Sequence, residues 1–122
     1  MHLPALLDGD PARVALEAYP GLLARKQLGI RDSYKSDTRS EHTPARKAVR
    51  KRIVGELLAG RPPGVRLVAS AALRKNMIDD GSGDLLDAAI CAVQAAWGWR
   101  KRDRNFGLPG RVDPLEGWIV SA

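Results

Sequence analysis

Asp84 and Asp87 stand three residues apart in a stretch that reads as the first turn of a helix, which places both carboxylates on one face at the positive end of the helix dipole. Two acids converging in this way suit a hard divalent cation, Mg²⁺ or Mn²⁺, held by carboxylates and by substrate phosphate oxygens. The plainer reading is that acids in a first helical turn only stabilise it. Glu17 is a third candidate, because it interrupts a mainly apolar, strand-like run, and a carboxylate there is costly unless solvated, paired or bound to a cation. Its plainer reading is an outward-facing edge residue. If Glu17, Asp84 and Asp87 met, they would be the catalytic and metal-holding acids of a phosphoryl-transfer site. Tyr34 and Lys35 lie in a polar loop and are the candidate substrate contacts, since loops carry binding residues disproportionately.

Basic residues cluster at Lys35, Arg39, Arg46, Lys47, Arg50, Lys51 and Arg52, against Asp37 and Glu41. Such a run tracks a phosphate backbone, or else forms the solvated side of an amphipathic helix. His2 and His42 have no metal-ligand spacing with Cys91, so a zinc site is not expected. Cys91 reads as a small core residue. Trp97, Trp99 and Trp118 are assigned to a core or a subunit interface rather than to base stacking. No Walker loop, dinucleotide fingerprint or nucleophile elbow occurs, and Gly81-Ser82-Gly83 is too short to mark a phosphate cradle.

The elements that must position these residues follow from periodicity and punctuation. Alternation predicts a strand over Arg13–Tyr19, ended by Pro20-Gly21, and a short helix between Gly21 and Leu28, closed by Gly29. Residues 31–43 read as a long loop. Thr43-Pro44 starts a helix whose stripe is Ala45, Val49, Ile53 and Leu57, and Gly60 stops it. A second short strand is expected at Val65–Ala69, parallel to the first because a helix-sized crossover joins them. A helical turn over Ser70–Met77 and a loop at Asp79–Gly83 lead into a helix from Asp84 to about Arg100. That helix is apolar almost all round, which predicts burial on most sides. Trp118–Val120 adds a last strand or a docked tail.

The chain has 122 residues, 20 Lys+Arg, 14 Asp+Glu, a net charge of +6, one cysteine and 44% apolar residues. This describes one domain, residues 1–122, with an ordinary core and no internal disulfide. Leu3–Leu7 is too short for a signal peptide or a membrane span, so a soluble, cytoplasmic protein without membrane contact is expected. The charge makes nucleic acid a plausible partner.

Four segments together resemble a known family: Glu17-Ala18-Tyr19-Pro20, Ser33-Tyr34-Lys35, Asp84-Leu85-Leu86-Asp87-Ala88 with Cys91-Ala92, and Asp113-Pro114-Leu115-Glu116-Gly117-Trp118-Ile119. They resemble the domain-of-unknown-function family four-two-nine, described as predicted nucleases of RNase H-like fold. The resemblance implies an α/β fold with a short, mostly parallel sheet flanked by helices, and an acidic metal cluster of Glu17, Asp84 and Asp87. Tyr34-Lys35 and Glu116-Gly117-Trp118 match family motifs of unassigned role. The N-terminal hairpin that would carry a further bridging aspartate has no counterpart, since neither Asp8 nor Asp10 lies in a strand-like run. The chain therefore resembles the C-terminal half of a family member. The expected function is a metal-dependent phosphodiester hydrolase, inactive or incomplete alone, or else a non-catalytic basic nucleic-acid-binding or oligomerising module; a small-molecule enzyme using the same acids is a third reading. A homo-oligomer is expected through an exposed strand edge or the tryptophan-bearing helix.

Overall fold

The computed structural model describes residues 13–113 and 115–121. The expected features at His2, Leu3–Leu7, Asp8 and Asp10 lie outside the described residues. Among the described residues four helices follow one another: α1 (Pro20–Lys26), α2 (Pro44–Ala59), α3 (Ala71–Asp79) and α4 (Asp84–Arg100), with short 3₁₀ turns at Arg39–Glu41 and Arg102–Gly107.

Local chemistry explains the ends of these helices. Pro20 occupies the first turn of α1 instead of closing a strand. The Thr43 side chain accepts the Arg46 N–H at 3.2 Å, and Gly60, at φ +65°, stops α2 in the left-handed conformation. Ser70 caps α3 through the Leu73 N–H at 3.1 Å. Asp80 caps α4 from outside the helix, accepting the Leu85 N–H at 3.0 Å and the Ser82 N–H and hydroxyl. Helix α2 packs on α3, and α4 packs on α1, α2 and α3. The core between them is Leu23, Ile30, Ile53, Leu57, Met77, Leu86 and Ile90, all fully buried.

The expected α/β architecture, a partial RNase H-like fold with a short parallel sheet, is not what forms. Among the described residues there is no strand and no sheet. Glu17 and Ile119 make an isolated parallel bridge, in which the Val120 N–H donates to the Glu17 carbonyl at 2.8 Å. A ladder cannot extend from it, because α1 begins at Pro20 on one side and the other segment turns at Val120–Ser121, with Ser121 at φ +67°. The Val65–Ala69 segment forms no strand; its Leu67 N–H donates to the Leu57 carbonyl at the end of α2, not to a neighbouring strand. A strand is a property of the pair; alternation supplies only one member.

Burial of α4 also differs from expectation. Its buried residues are Leu86, Ile90, Val93, Gln94 and Gly98, while Leu85, Ala88, Ala92, Ala95, Ala96 and Trp99 are exposed. Trp97 is half-buried and Trp118 is exposed, so the tryptophans do not form a core. Residues 115–121 form a docked tail: Val120 is buried, Gln94 Nε2 donates to the Val120 carbonyl at 3.2 Å and to the Ser121 hydroxyl at 3.1 Å, and Gln27 donates to the Ser121 carbonyl at 3.0 Å. Among the described residues no helix is long and apolar enough to cross a membrane.

Candidate functional site

Tyr34 and Lys35 are delivered to α4 by a loop fixed at both flanks. Gly29, at φ +67°, reverses the chain after α1, and the Ile30 N–H returns to the Ala24 carbonyl at 2.9 Å while the Ile30 side chain enters the core. On the far side the Ser36 N–H donates to the Gly81 carbonyl at 3.2 Å, and His42 Nε2 donates to the Ser36 carbonyl at 2.7 Å. From α2, Arg50 reaches inward, 2% exposed, and donates to the carbonyls of Tyr34 and Ile78 at 2.8 Å each. The sequence places Arg50 in a basic run that tracks phosphate or faces solvent; in the structure it does neither and holds the loop and α3 together.

The Tyr34 hydroxyl donates to Asp87 Oδ1 at 2.7 Å, and Lys35 pairs with Asp87 Oδ2. Residues more than fifty positions apart are thereby brought to one carboxylate. Burial, reinforced by the Asp87 hydrogen bond, pushes the Tyr34 phenol well above its ordinary range, so it stays a donor. The hydrogen bond to Asp87 raises Lys35 above the ordinary lysine value against an opposing burial effect, with Asp87, Asp37 and Asp84 adding attraction. Burial also pushes the Cys91 thiol up, with the Asp87 charge adding to it, which keeps it a poor nucleophile.

The stem of Lys35 lies against Gly83, where an added Cβ would stand 2.7 Å from Lys35 Cβ, and Gly83 itself is at φ +76°. The Gly81-Ser82-Gly83 segment thus provides close backbone approach for the loop. Asp84 is exposed at the start of α4, on the Lys35 side. Beside Tyr34, Lys35 and Asp87 opens a groove of about 430 Å³, walled also by Tyr19, Arg25 and Arg31. The Arg25 guanidinium sits 5.6 Å from the Tyr19 ring centroid.

Glu17 is placed elsewhere. It is exposed, and its Oε2 would lie 3.0 Å from a Cβ added to Gly117, so it meets the Glu116-Gly117-Trp118 segment. Among the described residues no three His, Cys, Asp or Glu side chains gather as a metal-holding group. Both Asp87 oxygens accept hydrogen bonds from Tyr34 and Lys35. With Tyr34 and Lys35 in place both Asp87 oxygens are engaged, so a Mg²⁺ or Mn²⁺ ion would reach this carboxylate only where Lys35 leaves it. The basic run is divided as well: Arg46 pairs with Glu41 at 3.2 Å, Lys47 with Asp79 at 2.7 Å, Arg50 is buried, and Lys51 and Arg52 face solvent.

Two contributors were missed from sequence, Arg50 and Asp80. For Asp80 a signal existed, an acid four residues ahead of a helix start; for Arg50 there was none, since an arginine between Val49 and Lys51 reads as surface. No family model, no curated protein and no solved structure matches this chain.

Proposed function

We propose that the groove beside Tyr34, Lys35 and Asp87 receives the phosphodiester backbone of a nucleic acid. The supporting observation is the Lys35 ammonium, held at the groove by Asp87 with its side chain 43% exposed and with donors left over for a phosphate oxygen. Arg25 and Arg31 stand on the same groove and extend the cationic track. Asp87 orients the lysine, and Tyr34 orients Asp87.

The test is binding of a fluorescent twelve-nucleotide strand as a function of salt. Lys35→Gln is expected to weaken binding several-fold and to reduce the salt slope by about 1. Unchanged affinity and slope in Lys35→Gln and in Arg31→Gln would overturn the reading.

Metal-dependent phosphodiester hydrolysis is the second reading. It is favoured by the meeting of Tyr34-Lys35 with Asp87, two of the segments on which the resemblance to family four-two-nine rests. It requires Lys35 to leave Asp87. Cleavage that appears with Mg²⁺ or Mn²⁺ and disappears in Asp87→Asn supports it; cleavage indifferent to Asp87→Asn sinks it.

A further inference from the structure

We infer that the exposed face of α4 is the contact through which a second copy of this chain docks, antiparallel about a twofold axis near Ala92. The exposed apolar residues of α4 are Leu85, Ala88, Ala92, Ala95 and Trp99, with Ala96 beside them. Their spacing of three, four, three and four residues is the seam of a two-helix coiled coil, sustained over the length of a 17-residue helix. The middle of the seam is alanine, which lets two helices approach near the close end of the usual 8–10 Å interaxial range. Its ends are large: Leu85 is 45% exposed and Trp99 58% exposed.

Charge selects the antiparallel arrangement. Asp84 opens the helix and Arg100 ends it, followed by Lys101, Arg102 and Arg104 with a single acid, Asp103, among them. Parallel copies would set acid against acid and a basic cluster against its like. Antiparallel copies set each acidic end beside the other's basic end, and a twofold makes both contacts at once. Shape agrees with charge. Beside Trp99 lies an apolar hollow of about 380 Å³, lined by Val14, Leu16, Ala95, Ala96 and Phe106. An antiparallel partner brings its Leu85 to that end of the helix, as a knob for the hollow. The carboxylate and ammonium of the Tyr34, Lys35 and Asp87 site take no part, so this contact is independent of the nucleic-acid reading.

Sedimentation of the whole chain between 5 and 200 µM, without nucleic acid, is expected to show a monomer–dimer equilibrium. Ala92→Glu places two like charges near the axis at an exposed position and is expected to raise the dimer Kd by about 100-fold or more while leaving the thermal transition of the monomer in place. In a Cys91→Ser background, Ala92→Cys is expected to cross-link between copies under oxidation. Leu85→Cys is not, because the two Leu85 positions would be separated by about 21 Å of helix rise. A monomer at 200 µM overturns the inference, as does a dimer that survives Ala92→Glu. Equal cross-linking at positions 85 and 92 overturns the antiparallel arrangement. Binding of nucleic acid that is abolished by Ala92→Glu in a chain that never dimerises would assign the face to that partner instead, and would also overturn it.

Discussion

Tyr34 shows how one side chain links core, loop and site. Its ring is buried, its carbonyl is held by Arg50 and its hydroxyl by Asp87. The raised phenol pKa has a consequence for alkaline stability. In the unfolded chain the phenol ionises near its ordinary value of about 10, whereas in the folded protein it remains protonated well above that. Stability from this group is therefore complete below pH 10 and falls as pH rises beyond it. Tyr34→Phe is expected to be less stable at pH 8, having lost the Asp87 bond, but to lose stability less steeply between pH 10 and 11.5 in urea titrations. Parallel slopes for the two proteins would contradict the assignment. Arg50 makes a second prediction at this scale. Its guanidinium joins α2 to two carbonyls from other segments, so Arg50→Ala is expected to cost about 2–4 kcal/mol in urea unfolding. Lysine should not restore it, because one ammonium cannot reproduce the fork. The residues of the site were readable from sequence as types in a loop and a helix turn, but their partners were not. Asp84 and Asp87 announce themselves by spacing, while the ammonium that occupies Asp87 comes from Lys35, a residue assigned there to substrate.

Helices were legible where their ends carry chemical punctuation. Thr43-Pro44 and Gly60 bracket α2, and the expected helix from Asp84 to about Arg100 matches α4. Alternation misled at Arg13–Tyr19 and Val65–Ala69: the first meets the tail at the Glu17–Ile119 bridge without extending into a ladder, and in the second the amide of Leu67 turns to α2. Two predictions belong to how the elements join. Asp79 at the end of α3 pairs first with Lys47 of α2 and then with Lys75 of its own helix, which lowers its pKa from 3.8 to about 2. The stability from this carboxylate is present above its unfolded value and is lost as pH falls through the folded one. Asp79→Asn is therefore expected to flatten the acid limb of stability between pH 4 and 2, an effect that salt should reduce, since these side chains are largely exposed. An unaltered acid limb would show that the pair does not couple the two helices. Gly83 sets the second test. An alanine there is strained at φ +76° and pushes on the stem of Lys35, so Gly83→Ala is expected to cost about 1–3 kcal/mol and to weaken strand binding in the same direction as Lys35→Gln. A destabilised variant that binds normally would separate the turn from the site.

At the largest scale, the described part of the molecule is closed by two segments far apart in sequence. Segment 13–19 and tail 115–121 meet at the Glu17–Ile119 bridge and cross α4 at Gly98, where a Cβ would lie 2.7 Å from Leu16 Cδ1 and 3.0 Å from Val120 Cγ2. Gln94 and Gln27 fix the tail from α4 and from the residue that caps α1, and Val120 seals it at 1% exposure. This closure is separate from the α2–α3–α4 core: among the described residues, neither segment 13–19 nor segment 115–121 joins the cluster of Ile53, Leu57, Met77 and Ile90. Placing a carboxylate at Val120 buries an unpaired charge, a cost of several kcal/mol that undocking the tail relieves at once. Undocking removes the donor to the Glu17 carbonyl, so the first segment loses its partner in the same event. Val120→Asp is accordingly expected to raise amide hydrogen exchange in residues 13–19 and 115–121 together, while the amides of α2 around Ile53 keep their protection. Exchange that rises in the tail alone would mean that the first segment is held by α4 and not by the tail. Exchange that rises everywhere would mean that the ends and the core unfold as one unit.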